Sequence, residues 1–220
     1  MSANTDYDAD TLYHTAVHEA GHAVMAVRQG GFVTELAIGD MAHIEDLCGY
    51  CVTVVEGFSA KQWTTLAGPV VSAIHENTSA WEQLSVRGGD FDFESVTDRW
   101  LERLLPVAAR AEFGSPAKYD DLVTFVSSVL DGFRPNGAKG ARIRSIRKFA
   151  KRCEKVLGFI EDSIDDDIES FRQWILGEGW FMPRVYRLAD VLVEKRKMEA
   201  EEILRWFILD GEYRWLKPAA

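Results

Sequence analysis

The stretch His18-Glu19-Ala20-Gly21-His22 constrains this chain more than any other. It lies in a proline-free run, Thr15-Ala16-Val17 before it and Ala23-Val24-Met25-Ala26-Val27 after it, that predicts a helix. On a helix, positions i and i+4 share a face, so His18 and His22 can hold one zinc ion together. Glu19 projects beside that face, where a general base acting on water would stand. Gly21 is the odd member, because glycine in a helix interior costs about 1 kcal/mol relative to alanine. It makes physical sense where another backbone or a substrate approaches closely.

Two histidines are half of a catalytic zinc site, which needs a third protein ligand and one open position. An extension supplying that ligand from just beyond the helix would need glycine at position 25 and histidine at 28. The chain has Met25 and Arg28, so the ligand must come from farther downstream. Gly88-Gly89-Asp90-Phe91-Asp92 breaks the chain ahead of a helical pattern carried by Val96, Trp100, Leu101, Leu104 and Leu105. Asp90 or Asp92 would stand at the start of that helix, where an aspartate also serves as an N-cap. Glu76, near the end of an earlier predicted helix, is a rival ligand. His14 lies one turn before His18 and reads as a residue behind the ligands or on the surface. His43 and His75 read as ordinary hydrogen-bonded histidines.

HEAGH, then a short strand pair, a Leu66-Ala67-Gly68 helix, and a glycine-rich turn with aspartate before a helix together resemble the FtsH-type zinc peptidase domain. The resemblance covers roughly residues 12–110. The family's third ligand is an aspartate in the context Gly-x-x-x-Asp-x-x-x-Ala-Thr. Here Gly88 leads to Asp92 and then to Val96-Thr97, so the resemblance selects Asp92, with Val96 in place of the alanine. The family's Leu-Ala-Gly segment usually continues into Ala-Glu, whereas this chain has Ser72 near that glutamate. The resemblance implies Zn²⁺ on His18, His22 and Asp92, with Glu19 as the catalytic base of peptide-bond hydrolysis.

Phe32 to Gly39 alternates like a half-buried strand, and Gly49 to Val55 is a second strand rich in β-branched residues. In FtsH-like peptidases the second strand forms an edge beside the zinc. A substrate strand adds to such an edge through backbone hydrogen bonds, which suits broad specificity. Gly49, Tyr50, Cys51, Val52 and Thr53 are therefore the candidate substrate-binding residues. Cys48 and Cys51 form a CxxC pair, but it leads into a strand rather than opening a helix, and no second pair exists. It is read as structural.

The 220 residues are 47% hydrophobic, enough for one substantial core or two small ones. A net charge of −10 opposes nucleic-acid binding, which needs a positive field. Three cysteines give no disulfide framework. The polar, acidic start lacks a signal-peptide pattern, and no apolar run approaches the roughly 20 residues that span a bilayer. A cytoplasmic protein without a membrane anchor is expected. No GxxxxGK[ST] phosphate loop occurs, so hydrolysis without ATP, on peptides and unfolded or flexible chains, is expected.

The expected fold is mainly α with a small β element. The HExxH helix packs on a short two- or three-stranded sheet, and a helical C-terminal half follows. The expected division is a peptidase-like core over 1–114 and a helical region over 115–220, with a linker near 132–140. That region shows segregated charge: Lys139, Arg142, Arg144, Arg147, Lys148, Lys151, Arg152 and Lys155, then Glu161, Asp162, Asp165, Asp166, Asp167 and Glu169. Two helices facing each other with opposite charge would account for it. Beyond Trp174 and Trp180, one long helix is expected from Val185 to about Phe207. Its aromatic stripe suits a core, with an oligomer or protein-partner surface as the sharper reading. The functional expectation is a zinc-dependent endopeptidase. The alternative is a metal-binding regulatory or interaction protein on a metallopeptidase scaffold.

Overall fold

A computed structural model describes residues 9–42, 48–79, 101, 103–113 and 140–210, with the backbone alone at 140–150 and 161. Asp90, Asp92, His43 and the linker residues 132–139 lie outside the described residues. The architecture is mainly α with one small antiparallel sheet. Helix α1 spans Ala9–Arg28, strand β1 Phe32–Ile38, strand β2 Gly49–Val54 and helix α2 Phe58–Glu76. Helix α3 spans Gly140–Gly177, helix α4 Phe181–Lys195, strand β3 Lys197–Glu199 and helix α5 Ala200–Leu209. No helix among the described residues is long and apolar enough to cross a membrane.

The chain divides into two compact units, one of residues 1–96 and 168–220, the other of residues 97–167. The first unit is built around α1, which packs against α2, α4, β1 and β2. Every residue from Ala16 to Val27 except His18 is buried, because neighbours surround the helix rather than cover one stripe. Its run of alanines and Gly21 lets those neighbours come close. A Cβ on Gly21 would sit 2.5 Å from Val71 Cγ2 and 2.9 Å from the Ala67 carbonyl oxygen. The close approach that a mid-helix glycine demands is therefore made by the backbone of α2.

Among the described residues the sheet order is β2-β1-β3, which puts β2 at an edge. β1 pairs with β2 from Ile38 opposite Gly49 to Phe32 opposite Val54, with a bulge between Val33 and Glu35. The third strand revises the expectation of one helix from Val185 to Phe207. That helix stops at Lys195, Arg196 adopts a positive φ of 67°, and Lys197–Glu199 pairs with Glu35–Ala37 before α5 begins. Met198 is what the break achieves: it is buried opposite Leu36 in the core. The far end of α3 belongs to this unit as well, where Phe171 and Trp174 pack edge-on against Trp63.

In the second unit, residues 103–113 are helical and run antiparallel to α3. Leu105, Ala108 and Ala109 are buried there, as are Cys153, Val156, Ile160 and Ile164. The segregated charges do not form two facing helices: Lys151, Arg152, Lys155, Asp162 and Asp165 to Asp167 lie along the single α3. Arg152, Lys155 and Asp167 pair with the antiparallel segment instead. Arg152 Nε donates to Glu112 at 2.9 Å, and Arg103 reaches Asp167 at 2.5 Å. Hydrogen bonds from Arg152 and the nearby Lys155 hold the Glu112 carboxyl below the usual carboxylate range.

Candidate metal centre

Helices α1 and α2 run antiparallel and meet along two i, i+4 stripes. On α1 the stripe is His14, His18 and His22; on α2 it is Glu76, Ser72, Gly68 and Thr64. The rungs match in order. His14 Nδ1 pairs with Glu76 Oε1. His18 Nδ1 lies 3.2 Å from Ser72 Oγ. His22 Nδ1 lies 2.7 Å from the Thr64 carbonyl oxygen. Gly68 fills the level between the last two rungs.

These contacts aim the other ring nitrogens. A carbonyl oxygen only accepts, so neutral His22 donates from Nδ1 and keeps its lone pair on Nε2. The Nε2 atoms of His18 and His22 converge to 3.1 Å. With zinc–nitrogen bonds of about 2.0–2.1 Å, two nitrogens on a tetrahedral ion stand about 3.3–3.4 Å apart. The observed separation falls within a few tenths of an ångström of that. Gly68 is what lets α2 come this near. A Cβ there would lie 2.6 Å from His22 Cε1 and 2.7 Å from His18 Nε2, and closer still to His22 Nε2. The imidazole pair thus fits a divalent ion that accepts nitrogen ligands.

Glu19 is buried next to this pair. Strand β2 begins against it: a Cβ on Gly49 would meet Glu19 Cγ at 3.0 Å and Oε1 at 3.1 Å. Along β2 alternate residues face opposite sides of the sheet. Gly49 therefore shares its side with Cys51 and Thr53. Tyr50 and Val52 face the other way, and the Tyr50 hydroxyl donates to Glu35. That hydrogen bond, with burial and the Glu35 charge behind it, raises the Tyr50 pKa. Lys197 Nζ joins the same carboxylate at 2.6 Å. Val52 and Val54 are exposed on that outer side, beside exposed Phe32. The five candidate substrate-binding residues thus share one edge strand but split between its two faces.

Of the candidate third ligands, Asp92 and Asp90 are outside the described residues. Glu76 is engaged by His14, one turn of α2 past Ser72. Among the described residues no set of three or more His, Cys, Asp or Glu side chains converges to hold a metal ion. His14 ends in an aromatic cluster: its ring meets His75 edge-on, and His75 also packs against Tyr13 and Tyr186. Burial, reinforced by His14, lowers the His75 pKa. Cys48 is exposed, and its carbonyl oxygen accepts from the Gly39 amide as β2 is entered.

Sequence reasoning did not anticipate the roles of Thr64, Gly68 and Ser72 as the wall behind the histidines. The signal was present in their spacing of four, the same as in His14, His18 and His22. No protein-family model matches the chain, and no curated protein matches it.

Proposed function

We propose that the protein is a zinc-dependent endopeptidase of the FtsH-like kind, cutting unfolded or flexible polypeptides without ATP. One observation carries the reading: two histidines one turn apart, each engaged at Nδ1, present their Nε2 atoms to a common point 3.1 Å wide. His18 and His22 would hold the ion together with Asp92, the ligand the resemblance supplies. When bound, zinc acidifies a coordinated water and polarises a carbonyl. Glu19 accepts the proton released from water and passes it to the leaving amine. Its buried position beside Gly49, the first residue of β2, suits a base acting on a chain laid along that edge. The edge strand offers backbone hydrogen bonds to any extended polypeptide, which supports broad specificity. Three free cysteines agree with a reducing, cytoplasmic setting.

The test is metal content and cleavage of an unfolded protein such as casein. The expected result is near-stoichiometric zinc and hydrolysis that a chelator stops. A purified protein that neither carries nor rebinds zinc would refute the reading.

The second reading is a metal-binding interaction protein on a peptidase scaffold. It draws on α5, where Leu204, Ile208 and Leu209 are exposed on a helix whose Ile203 and Phe207 are buried. Zinc bound with no cleavage of any unfolded substrate would favour it.

A further inference from the structure

The outer side of the sheet, turned away from Glu19, is divided in character. Over β1 and β3 it is polar: the Tyr50 hydroxyl donates to Glu35, and Lys197 Nζ lies 2.6 Å from Glu35 and 3.0 Å from Glu199. Toward the end of β2 it is apolar. Val52 and Val54 are exposed there, and so is Phe32, directly opposite Val54 in the ladder. Single exposed apolar residues are ordinary on a protein surface. Three together on a strand pair whose outer member is at an edge among the described residues are another matter, because such an edge invites a further strand.

The backbone decides which groups an added strand would meet. The Cys48 carbonyl accepts from the Gly39 amide, and the Val52 carbonyl accepts from Thr34 Oγ1, so these even-numbered residues turn their carbonyls toward β1 and its continuation. In an antiparallel ladder that direction alternates, so Gly49 and Thr53 turn their peptide groups toward the edge. Side chains directly opposite one another in neighbouring strands share a face and touch. The residues of an added strand opposite Val52 and Val54 therefore lie on the outer side, two positions apart, against the apolar strip. The residue between them falls on the side of Glu19. The hydrogen bonds accept any extended chain, whereas the strip discriminates by side chain.

We propose that Val52 and Val54, flanked by Phe32, select extended polypeptide segments that carry β-branched or aromatic side chains at every second position. Such segments form half-buried strands in folded proteins and become accessible when those proteins unfold. The strip thus favours unfolded chains through a pattern rather than a particular sequence. This rests on the peptidase reading above for the fate of the bound chain, and the experiment separates the two.

The probes are two fluorescent peptides of identical composition. One has valine at every second position among serines and lysines; the other has its valines in adjacent pairs, so that no two stand two positions apart. Anisotropy reads their affinity for the full Zn²⁺-treated chain carrying Glu19→Gln, and the parent is assayed on casein in parallel. The alternating peptide should bind about 2- to 30-fold more tightly, as two apolar cross-strand pairs imply. Adding Val52→Thr and Val54→Thr, which keep the branched shape a strand favours, should remove most of that difference, with melting to check the fold. If the parent cuts casein but both peptides bind alike, or the threonine variant keeps the full difference, the proposal is overturned and the peptidase reading stands. A parent that dimerises through this edge, with peptide binding indifferent to the threonines, assigns the strip to a second copy and also overturns it. If casein is not cut but the alternating peptide is still preferred, the peptidase reading fails and the strip stands. If there is neither cleavage nor binding, both fall.

Discussion

Gly68→Ala should remove the metal and leave the fold. The added Cβ would lie 2.6 Å from His22 Cε1 and 2.7 Å from His18 Nε2. Ordinary contact between such atoms is about 3.5 Å or more, and His22 Nε2 is nearer than either, so the rings or the helices must give way by at least about 0.8 Å. Metal–ligand distances tolerate only about 0.2 Å. Such a shift also breaks the alignment that the Thr64 carbonyl and Ser72 impose on the two rings. A loss of at least about 100-fold in Zn²⁺ affinity follows, comparable to or larger than losing a partner behind a ligand. Stability changes less. Replacing a mid-helix glycine by alanine gains about 1 kcal/mol, against an overpacking cost of about 1–3 kcal/mol. The metal-free melting temperature should therefore drop by no more than about 8 °C, at about 2–4 °C per kcal/mol for a chain of this size. Chelator competition measures the affinity, and circular dichroism measures the melt. A folded Gly68→Ala protein with parental affinity would mean that α2 does not close over the histidines at Gly68.

Other perturbations act on separate parts of the molecule. Gly21→Ala pushes a Cβ to 2.9 Å from the Ala67 carbonyl, a backbone atom that no rotamer can move, so a net loss of about 1–2 kcal/mol is expected in urea unfolding; unchanged stability would contradict the close helix crossing. Glu19→Gln should retain zinc while cleavage falls by about 10²–10⁴-fold, and activity persisting at the parental rate would reject Glu19 as the base. Asp210 accepts from Arg184 Nε at 2.9 Å, and Arg184 is almost wholly buried, so Asp210→Ala should cost about 1.5–3 kcal/mol through the loss of that charge-assisted hydrogen bond. Burial works to raise the Asp210 pKa, but the hydrogen bonds from Arg187 and Arg184 prevail and lower it. Its contribution is therefore full above about pH 3.9, the unfolded value, and fades as pH falls through the lower folded value. The gap between parent and Asp210→Ala should be constant near neutrality and close in strong acid; a gap that closes near pH 6 would assign it to another group.

The sequence alone made the helix around HEAGH, the two strands after it and the Leu66-Ala67-Gly68 helix legible, because each rests on local periodicity and composition. His18 and His22 one turn apart on a shared face were legible for the same reason. The close backbone approach at Gly21 could be foreseen in kind, since a mid-helix glycine needs a cause. Which backbone approaches was settled by the tertiary structure, and it is that of α2. The break after Lys195 escaped a helical reading because its cause is distant: Lys197–Glu199 is a strand only where Glu35–Ala37 offers a ladder to join. The charge blocks of α3 do not face each other, because both lie on one helix: Arg152 and Asp167 pair with Glu112 and Arg103 of an earlier segment, and Glu169 pairs with Arg172 on α3 itself.

The opening motif supplied two imidazoles and a carboxylate at fixed spacing, because a helix of any sequence repeats every 3.6 residues. Their aim was decided elsewhere. It depends on a carbonyl, a missing side chain and a hydroxyl on α2, all within one antiparallel packing, and packing between helices remote in sequence is fixed by the whole core rather than by local pattern.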